Sequence, residues 1–181
     1  MEKRKMSLKD ITWDLHEKAE KNKFAQLLLS GNINKHQYAS YLSNLWLIYS
    51  VLEKVADSQN VLEGIEGIKR ADAIRADIEE LGVDNDTLVV ATTTFMYINH
   101  LSELSDNVLA HIYTRHFGDL YGGQILKSRV PGSGSMYEFD DRKGLIEKTR
   151  EKLTDNLGPE ARVAFGFAIS LFEDLTDEFN L

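Results

Sequence analysis

The sequence predicts an all-α fold in a single domain that spans residues 1–181, and three observations support this. Several segments repeat apolar residues at the i, i+3, i+4 and i+7 spacing of an amphipathic helix. Loop signals separate these segments, as in residues 30–34 and in residues 129–135 with their proline and glycines. The length of 181 residues, with 43% apolar and 28% charged residues, suits one domain with its own core.

Helical segments follow one another along the chain. Ser7 and Asp10 match a capping box at the start of the first helix, and Pro159 stands at the start of the last. The stretch after Thr87 holds β-branched residues that would suit a strand, but the helical spacing that continues to His100 favours a helix. About seven or eight helices are expected. The clearest segments are residues 7–29, 34–56, 61–81, 87–100, 111–126, 141–153 and 159–179.

Composition excludes several classes of function. The chain has no cysteine, which rules out disulfides, iron–sulfur clusters, thiolate-ligated haem and a thiol nucleophile. A net charge of −8 disfavours non-specific nucleic-acid binding and means that an anionic ligand needs a local basic patch. No apolar run approaches the roughly 18 residues of a membrane span. Residues 1–5 are basic but lead into a helical pattern rather than a signal core, so we expect a cytoplasmic protein.

One predicted helix contains three glycines, although each interior glycine costs roughly 1 kcal/mol relative to alanine. On a 3.6-residue period these glycines share one face with an arginine and an aspartate that are spaced for an i, i+4 ion pair. The five residues of this face are Arg115, Gly118, Asp119, Gly122 and Gly123. A face without side chains lets a flat ligand approach the backbone closely. Close packing of two helices on small residues is the alternative, and the spacing alone leaves both open.

The first helix carries a histidine at the edge of its apolar stripe. Such a histidine is more often structural than a metal ligand, but Glu20 lies four residues after His16. The Glu20 carboxylate can accept the Nδ1 proton of His16 and leave Nε2 free to bind a metal. Lys9 lies two turns before His16 on the same face, about 10 Å away. Lys9 therefore either faces an anionic group of the ligand or is a solvated lysine at the helix start.

Three segments resemble the haem oxygenase family. Residues 113–124 read Tyr-Thr-Arg-x-x-Gly-Asp-Leu-x-Gly-Gly-Gln, which closely resembles the distal helix of that family. Residues 16–20 match the His-x-x-Ala-Glu pattern of its proximal helix, and residues 47–53 resemble its second helix. The resemblance implies a bundle that holds haem between the proximal and distal helices. It also implies oxidative opening of haem to biliverdin, iron and carbon monoxide, with dioxygen and external electrons.

The resemblance also implies roles for individual residues. The iron of haem b would be bound by His16, which Glu20 orients. Asp119, steadied by Arg115 and Tyr49, would order the water molecules that deliver protons on the distal side. The remaining expected haem contacts are Lys9, Tyr113, Gly118, Gly122, Gly123 and Arg150, with Arg150 on a propionate.

The sequence departs from the family pattern at three positions. Trp13 replaces a base three residues before His16, Ile146 replaces a lysine, and Ala168 replaces an asparagine. These changes weaken the propionate contacts and the distal hydrogen bonding that the resemblance implies.

Two other classes of function remain open at this stage. A non-catalytic haem-binding or haem-transfer protein would share His16 but would not need Asp119 on an open face. A non-haem di-iron oxidase needs several inward carboxylates and histidines, and a thiaminase-like enzyme needs a cysteine. We expect His100, His111 and His116 to be structural or surface residues because their spacing is not that of a metal site.

If the protein is an enzyme, the resemblance suggests a soluble electron donor such as ferredoxin, and a reductase that takes up the bilin product.

Overall fold

The structure, a computed structural model, describes residues 6–181, so the basic segment 1–5 lies outside the described residues. All regular elements of residues 6–181 are helical, which confirms the predicted all-α class. The α-helices are α1 Leu8–Lys21, α2 Lys23–Ser30, α3 Lys35–Ser58, α4 Ala71–Leu81, α5 Thr92–Glu103, α6 Leu109–Ile112, α7 Gly118–Lys127, α8 Arg142–Lys152 and α9 Gly158–Glu178.

The predicted first helix is two helices in the structure. The capping box of Ser7 and Asp10 is present at the start of α1. Asn22 then adopts an extended backbone conformation, ends α1, and accepts a hydrogen bond from the Phe24 amide to begin α2. Asparagine favours such a cap because its short side chain competes for backbone donors. The prediction of an unbroken helix over residues 7–29 is therefore wrong at Asn22, whereas the break expected in residues 30–34 is present, with Gly31 as a left-handed cap that ends α2.

Helix α3 forms the centre of the core and packs against α4 and α5. Its apolar face is almost fully buried, from Tyr38 to Ala56. Asn44 on this helix is also buried and hydrogen-bonds the backbone of Val89 and Ala91. These bonds hold the chain before α5 in an extended form, and α5 begins at Thr92 rather than at residue 87 as predicted. A buried polar side chain thus replaces the expected first turn.

The glycine-rich segment is a helix with an irregular middle. One π-helical turn, Tyr113–Phe117, joins α6 to α7. A π turn inserts extra backbone into the helix and rotates the faces on either side of it relative to each other. The 3.6-residue period that predicted one continuous face across this segment therefore does not apply through the turn.

Helix α9 positions the elements on both sides of the site. It packs against α1, α2, α5 and α6. Pro159 lies in its first turn, as predicted, and Ala161, Ala164 and Ala168 are buried on the packed face. Small residues there let α1 approach closely. Within residues 6–181, none of the helices has the length and apolar character that crossing a membrane requires.

Candidate active site

A cavity of about 660 Å³ opens between α1 and the glycine-rich segment. Four parts of the chain line it: α1 with Ser7, residues 113–121, residues 150–155 and Phe165. Five of the residues predicted to contact the ligand are in this lining. They are Lys9, His16, Tyr113, Gly118 and Arg150. The fold therefore brings the predicted proximal and distal segments to opposite walls of one cavity.

His16 lies on the α1 wall with its side chain 43% exposed. The imidazole Nε2 is 3.7 Å from Oε1 of Glu20, whereas Nδ1 is buried and has no hydrogen-bond partner in the part of the chain that the structure describes. This differs from the expected arrangement, in which Glu20 accepts the proton of Nδ1. The reason is reach, because the carboxylate one turn along the helix meets the outer end of the ring. His16 thus keeps one ring nitrogen without a protein partner.

Trp13 and Lys9 extend the α1 wall beyond His16. The Trp13 indole stacks on the imidazole with ring centroids 5.4 Å apart and an interplanar angle of 14°. The ammonium group of Lys9 lies over the indole, 5.4 Å from its centroid. The sequence identified Trp13 only as a departure from a family pattern. The structure makes it a cavity wall that restricts the orientation of the His16 ring.

The three glycines of the distal segment do not share one environment. A Cβ atom added to Gly118 or Gly122 would have no heavy atom of the described residues within 4 Å beyond its own helix backbone and chain neighbours, so the backbone is open at both. A Cβ atom on Gly123 would lie 2.5 Å from the Tyr137 ring. The prediction that all three glycines line the ligand face is therefore wrong for Gly123. Its role is close packing, the alternative that the spacing had left open.

Asp119 follows Gly118 and is joined to Tyr49 of α3. The fully buried Tyr49 hydroxyl donates to Oδ2 of Asp119 over 2.6 Å. Burial raises the pKa of Asp119 to about 6, while the hydrogen bond from Tyr49 and the charges around it act in the other direction. Burial also raises the pKa of Tyr49 well above its usual value, so Tyr49 stays a donor. The carboxyl group can therefore exchange a proton near neutral pH.

Arg115 does not pair with Asp119 as predicted. Its side chain is buried, and among residues 6–181 its Nε and Nη2 atoms have no hydrogen-bond partner. The guanidinium lies over the Tyr97 ring, 5.5 Å from its centroid. Within the same residues no ion pair joins Arg115 to Asp119, because Arg115 belongs to the π turn, whose longer period changes the direction of its side chain relative to Asp119 in the first turn of α7. The charge of Arg115 still contributes to lowering the pKa of Asp119.

A second buried pair lies behind the Tyr49–Asp119 bond. His116 Nε2 is 2.9 Å from Oε1 of Glu53, and the His116 ring lies 4.5 Å from the Tyr49 ring. Electrostatic attraction from His116 also lowers the pKa of Asp119. The sequence analysis missed this pair, since Glu53 and His116 are 63 residues apart and no spacing links them.

Arg150 contacts the distal wall through an aromatic side chain. Its guanidinium donates to the hydroxyl of Tyr121, which also lines the cavity. Tyr121 ends a row of rings that includes Tyr113 and Phe117, with successive centroids 5.9 and 5.0 Å apart. Tyr121 was not among the predicted site residues. Aromatic residues at positions 113, 117 and 121, at a regular four-residue interval, were the signal that could have found it.

The groups that line the cavity indicate which kind of ligand it can bind. Its walls are largely aromatic and apolar, which favours a flat apolar ring system. His16 offers an imidazole to a metal, and Lys9 and Arg150 offer positive charge at the edges to anionic groups. A proton-exchanging carboxyl group lies beside the opposite wall.

Comparisons with known proteins support the same assignment of family. A family model described as Heme oxygenase matches residues 4–174. The heme oxygenase of Guillardia theta is 28% identical over 94% of this chain and 85% of its own. Heme oxygenase-2 from Synechocystis, solved in complex with heme and NO, is 27% identical with a TM-score of 0.80, covering 94% of this chain and 84% of its own. The heme complex of heme oxygenase-1 from the same cyanobacterium has a TM-score of 0.83 over 94% of this chain and 91% of its own; at 23% identity, it supports the fold alone.

Proposed function

Since the chain belongs to the haem oxygenase family, we propose that its cavity binds haem b and that the protein opens the ring there to biliverdin, releasing iron and carbon monoxide. When bound, haem supplies both the ring that is cleaved and the iron at which dioxygen is activated. The single observation that carries the proposal is that His16 and Gly118 face one cavity, with the Tyr49–Asp119 pair adjoining Gly118.

His16 is the residue proposed to bind the haem iron. Its place in the cavity lining supports this, and its Nε2 makes only a 3.7 Å contact with Glu20, which is longer than a hydrogen bond and leaves this nitrogen available to a metal. A neutral imidazole also lacks the electron push of a thiolate ligand. Trp13 holds the imidazole plane by stacking, and Glu20 lies close enough to polarise the ring. Binding through Nε2 requires the ring to rotate away from its present contact with Glu20.

Asp119 is the proposed source of protons on the distal side. Its carboxyl group would order water molecules and pass protons to the bound substrate, with Tyr49 keeping the carboxyl in place. A pKa of about 6 supports this role, since both protonation states are then populated near neutral pH. Arg115 is proposed to act through its charge rather than through a direct ion pair, and the buried His116 adds to the same field.

The open backbone of the distal helix is proposed to select where the ring is attacked. Gly118 lines the cavity, and Gly122 lies one turn further along with open space beside it. Because no side chains fill this space, the backbone itself would lie close to the ring, and its steric contact would direct attack to one meso carbon. Tyr113 and Tyr121 would border the ring, and Lys9 and Arg150 would meet its propionates.

The partners and location stay predictions. Electrons are expected from a soluble donor such as ferredoxin, and the bilin product is expected to pass to a reductase. A cytoplasmic location remains an expectation from the sequence.

The substitution Asp119→Ala tests the proposal. The variant should bind haem with a normal Soret band but lose biliverdin formation when ascorbate or a reductase is added. Asp72→Ala, an exposed aspartate on α4, is the matched control and should leave turnover unchanged. If the wild-type haem complex keeps its Soret band under reduction, the protein is a haem-binding or haem-transfer protein instead. Unchanged turnover in Asp119→Ala would refute only the proposed role of the carboxyl group and not the haem-cleaving function.

A further inference from the structure

Two histidines and one glutamate from three helices meet on the side of α9 that packs against α5 and α6. Nε2 of His100 lies 2.5 Å from Oε1 of Glu160, and Nε2 of His111 lies 2.7 Å from the same oxygen. One ligand atom from each residue lies within 4.8 Å of the other two. The sequence analysis treated His100 and His111 as structural or surface residues because their spacing is not that of a metal site. The third member, Glu160, lies 49 residues beyond His111, and no local spacing links it to either histidine.

We propose that His100, His111 and Glu160 form a binding site for a divalent first-row transition metal of the Zn²⁺ or Fe²⁺ class. Two imidazoles and one carboxylate are a ligand set that such ions prefer, and three protein ligands leave a coordination position open. Because none of the three residues lines the haem cavity, this inference does not depend on the proposed function.

The buried histidine is prepared to act as a ligand. His111 is fully buried, and burial lowers its pKa to about 4, so its imidazole is neutral at pH 7. Its other ring nitrogen, Nδ1, is 2.6 Å from the hydroxyl of Tyr97. A hydroxyl both donates and accepts, so the Tyr97 oxygen can accept a hydrogen bond from Nδ1–H and leave Nε2 free for a metal. An outer hydrogen bond of this kind orients most metal-binding histidines.

The carboxylate is placed to move as the ion enters. In a tetrahedral site with bonds of about 2.0–2.1 Å, neighbouring ligand atoms are about 3.3 Å apart. Oε1 of Glu160 would have to withdraw by less than about 1 Å from the two imidazoles. Glu160 lies in the first turn of α9, and its side chain is 19% exposed, so this movement meets little resistance.

The site is also accessible to an ion from solvent. The side chain of His100 is 31% exposed, whereas His111 lies behind it with no exposed surface. The open coordination position would therefore face water near His100. Among residues 6–181 this is the single group of three such residues brought together, and its one carboxylate is fewer than a di-iron site needs.

Titration of the haem-free full-length protein with Zn²⁺ and Co²⁺ at pH 7.5 tests the proposal. His16 is a second exposed imidazole, so the titrations use a His16→Ala background in which only the proposed cluster is varied. Calorimetry should give one ion per chain, and Co²⁺ should show the visible absorption of a tetrahedral site. Mg²⁺ should not compete, because it prefers an all-oxygen set.

Three variants and one control locate the binding. His100→Ala and Glu160→Gln should each weaken Zn²⁺ binding more than about 100-fold, since they remove a ligand rather than an outer contact. Tyr97→Phe should weaken it about 10–100-fold. His36→Ala is the control. It removes a histidine on α3 that hydrogen-bonds the backbone carbonyl of Thr87, and it should leave the affinity for Zn²⁺ unchanged.

Circular dichroism of each variant separates loss of binding from loss of fold. Glu160→Gln keeps the shape of the side chain and one oxygen that can accept hydrogen bonds from the histidines. It can therefore still test Zn²⁺ binding if His100→Ala unfolds. Absence of a stoichiometric Zn²⁺ site in the His16→Ala protein would overturn the proposal. Binding that is the same in His100→Ala and Glu160→Gln would also overturn it, and would leave the cluster as a hydrogen-bonded connection between three helices.

Discussion

The hydroxyl of Tyr49 donates to the carboxylate of Asp119 over 2.6 Å and joins the central helix to the glycine-rich segment 70 residues later. The hydrogen bond and burial shift the pKa of Asp119 in opposite directions. Burial raises this pKa, whereas a donor to the charged form lowers it. The balance of these two effects places the carboxyl group near pKa 6, where it can exchange protons.

Removing the Tyr49 hydroxyl should shift the pH dependence of haem cleavage. In Tyr49→Phe the charged form of Asp119 loses a donor, so its pKa should rise above about 6, by roughly one unit. The limb of the pH–rate profile that follows Asp119 should move to higher pH by the same amount. Single-turnover rates across the pH range measure this. Tyr38→Phe is the control, since the Tyr38 hydroxyl is buried on the same helix but has no hydrogen-bond partner, Asp119 included, among residues 6–181. An equal shift in that variant would contradict the assignment.

Asp119 should also make the stability of the haem-free protein depend on pH. Its folded pKa of about 6 lies above the ordinary value of 3.8, so the folded state holds the proton more tightly than the unfolded state. The stabilisation is full below about pH 4 and is lost as the pH rises through about 6, at most roughly 3 kcal/mol. Asp119→Asn should match wild type in urea unfolding at pH 4 and exceed it at pH 7. A difference that does not vary with pH would argue against the raised pKa.

The neighbouring glycines Gly122 and Gly123 should respond oppositely to alanine. Gly122→Ala adds a methyl group in open space on an exposed helix face and should stabilise the haem-free protein by about 0.5–1 kcal/mol. Gly123→Ala places a methyl group against the Tyr137 ring and should destabilise it by about 1–3 kcal/mol. Urea unfolding of the two variants in parallel provides the measurement. Equal effects would mean that the two glycines share one environment, as the helical period alone had indicated.

Arg150 should contribute to binding only when the ligand carries carboxylates. Arg150→Gln removes a guanidinium at the cavity edge and should weaken haemin binding about 10-fold, the loss of one charge-assisted hydrogen bond. Affinity for haem dimethyl ester, which lacks the negative charges, should be nearly the same in both proteins. Tyr121→Phe keeps the ring and removes the hydroxyl that Arg150 contacts, and serves as the matched control. A similar loss for the diester would mean that Arg150 acts through packing.

Several features of the site were predictable because they depend on neighbours in the sequence. The capping box joins Ser7 and Asp10, and Glu20 lies beside His16; residues three or four positions apart meet on a helix by themselves. The atom that Glu20 approaches was not predictable in this way, since it is Nε2 rather than the expected Nδ1. The Tyr49–Asp119 pair was expected only from the resemblance. No local rule relates residues that are 70 positions apart.

The wrong predictions for the glycine-rich segment have two causes. The pairing of Arg115 with Asp119 assumed an unbroken 3.6-residue helix, but Arg115 lies in the π turn of Tyr113–Phe117, which changes the phase before α7 begins. The common face of the three glycines is wrong for a different reason, because all three lie in α7 and the tertiary packing of Tyr137 fills the space beside Gly123.

The sequence by itself determined the all-helical class, the family, and the residue types available for haem, because helical period, caps and motif spacing are local properties. Only the tertiary structure decided which residues share an environment: His16 with Gly118 across a cavity, Tyr49 with Asp119, and His100 with His111 and Glu160. The physical reason is that burial and hydrogen bonding act between groups close in space, and packing of the helices brings these groups together from distant parts of the chain.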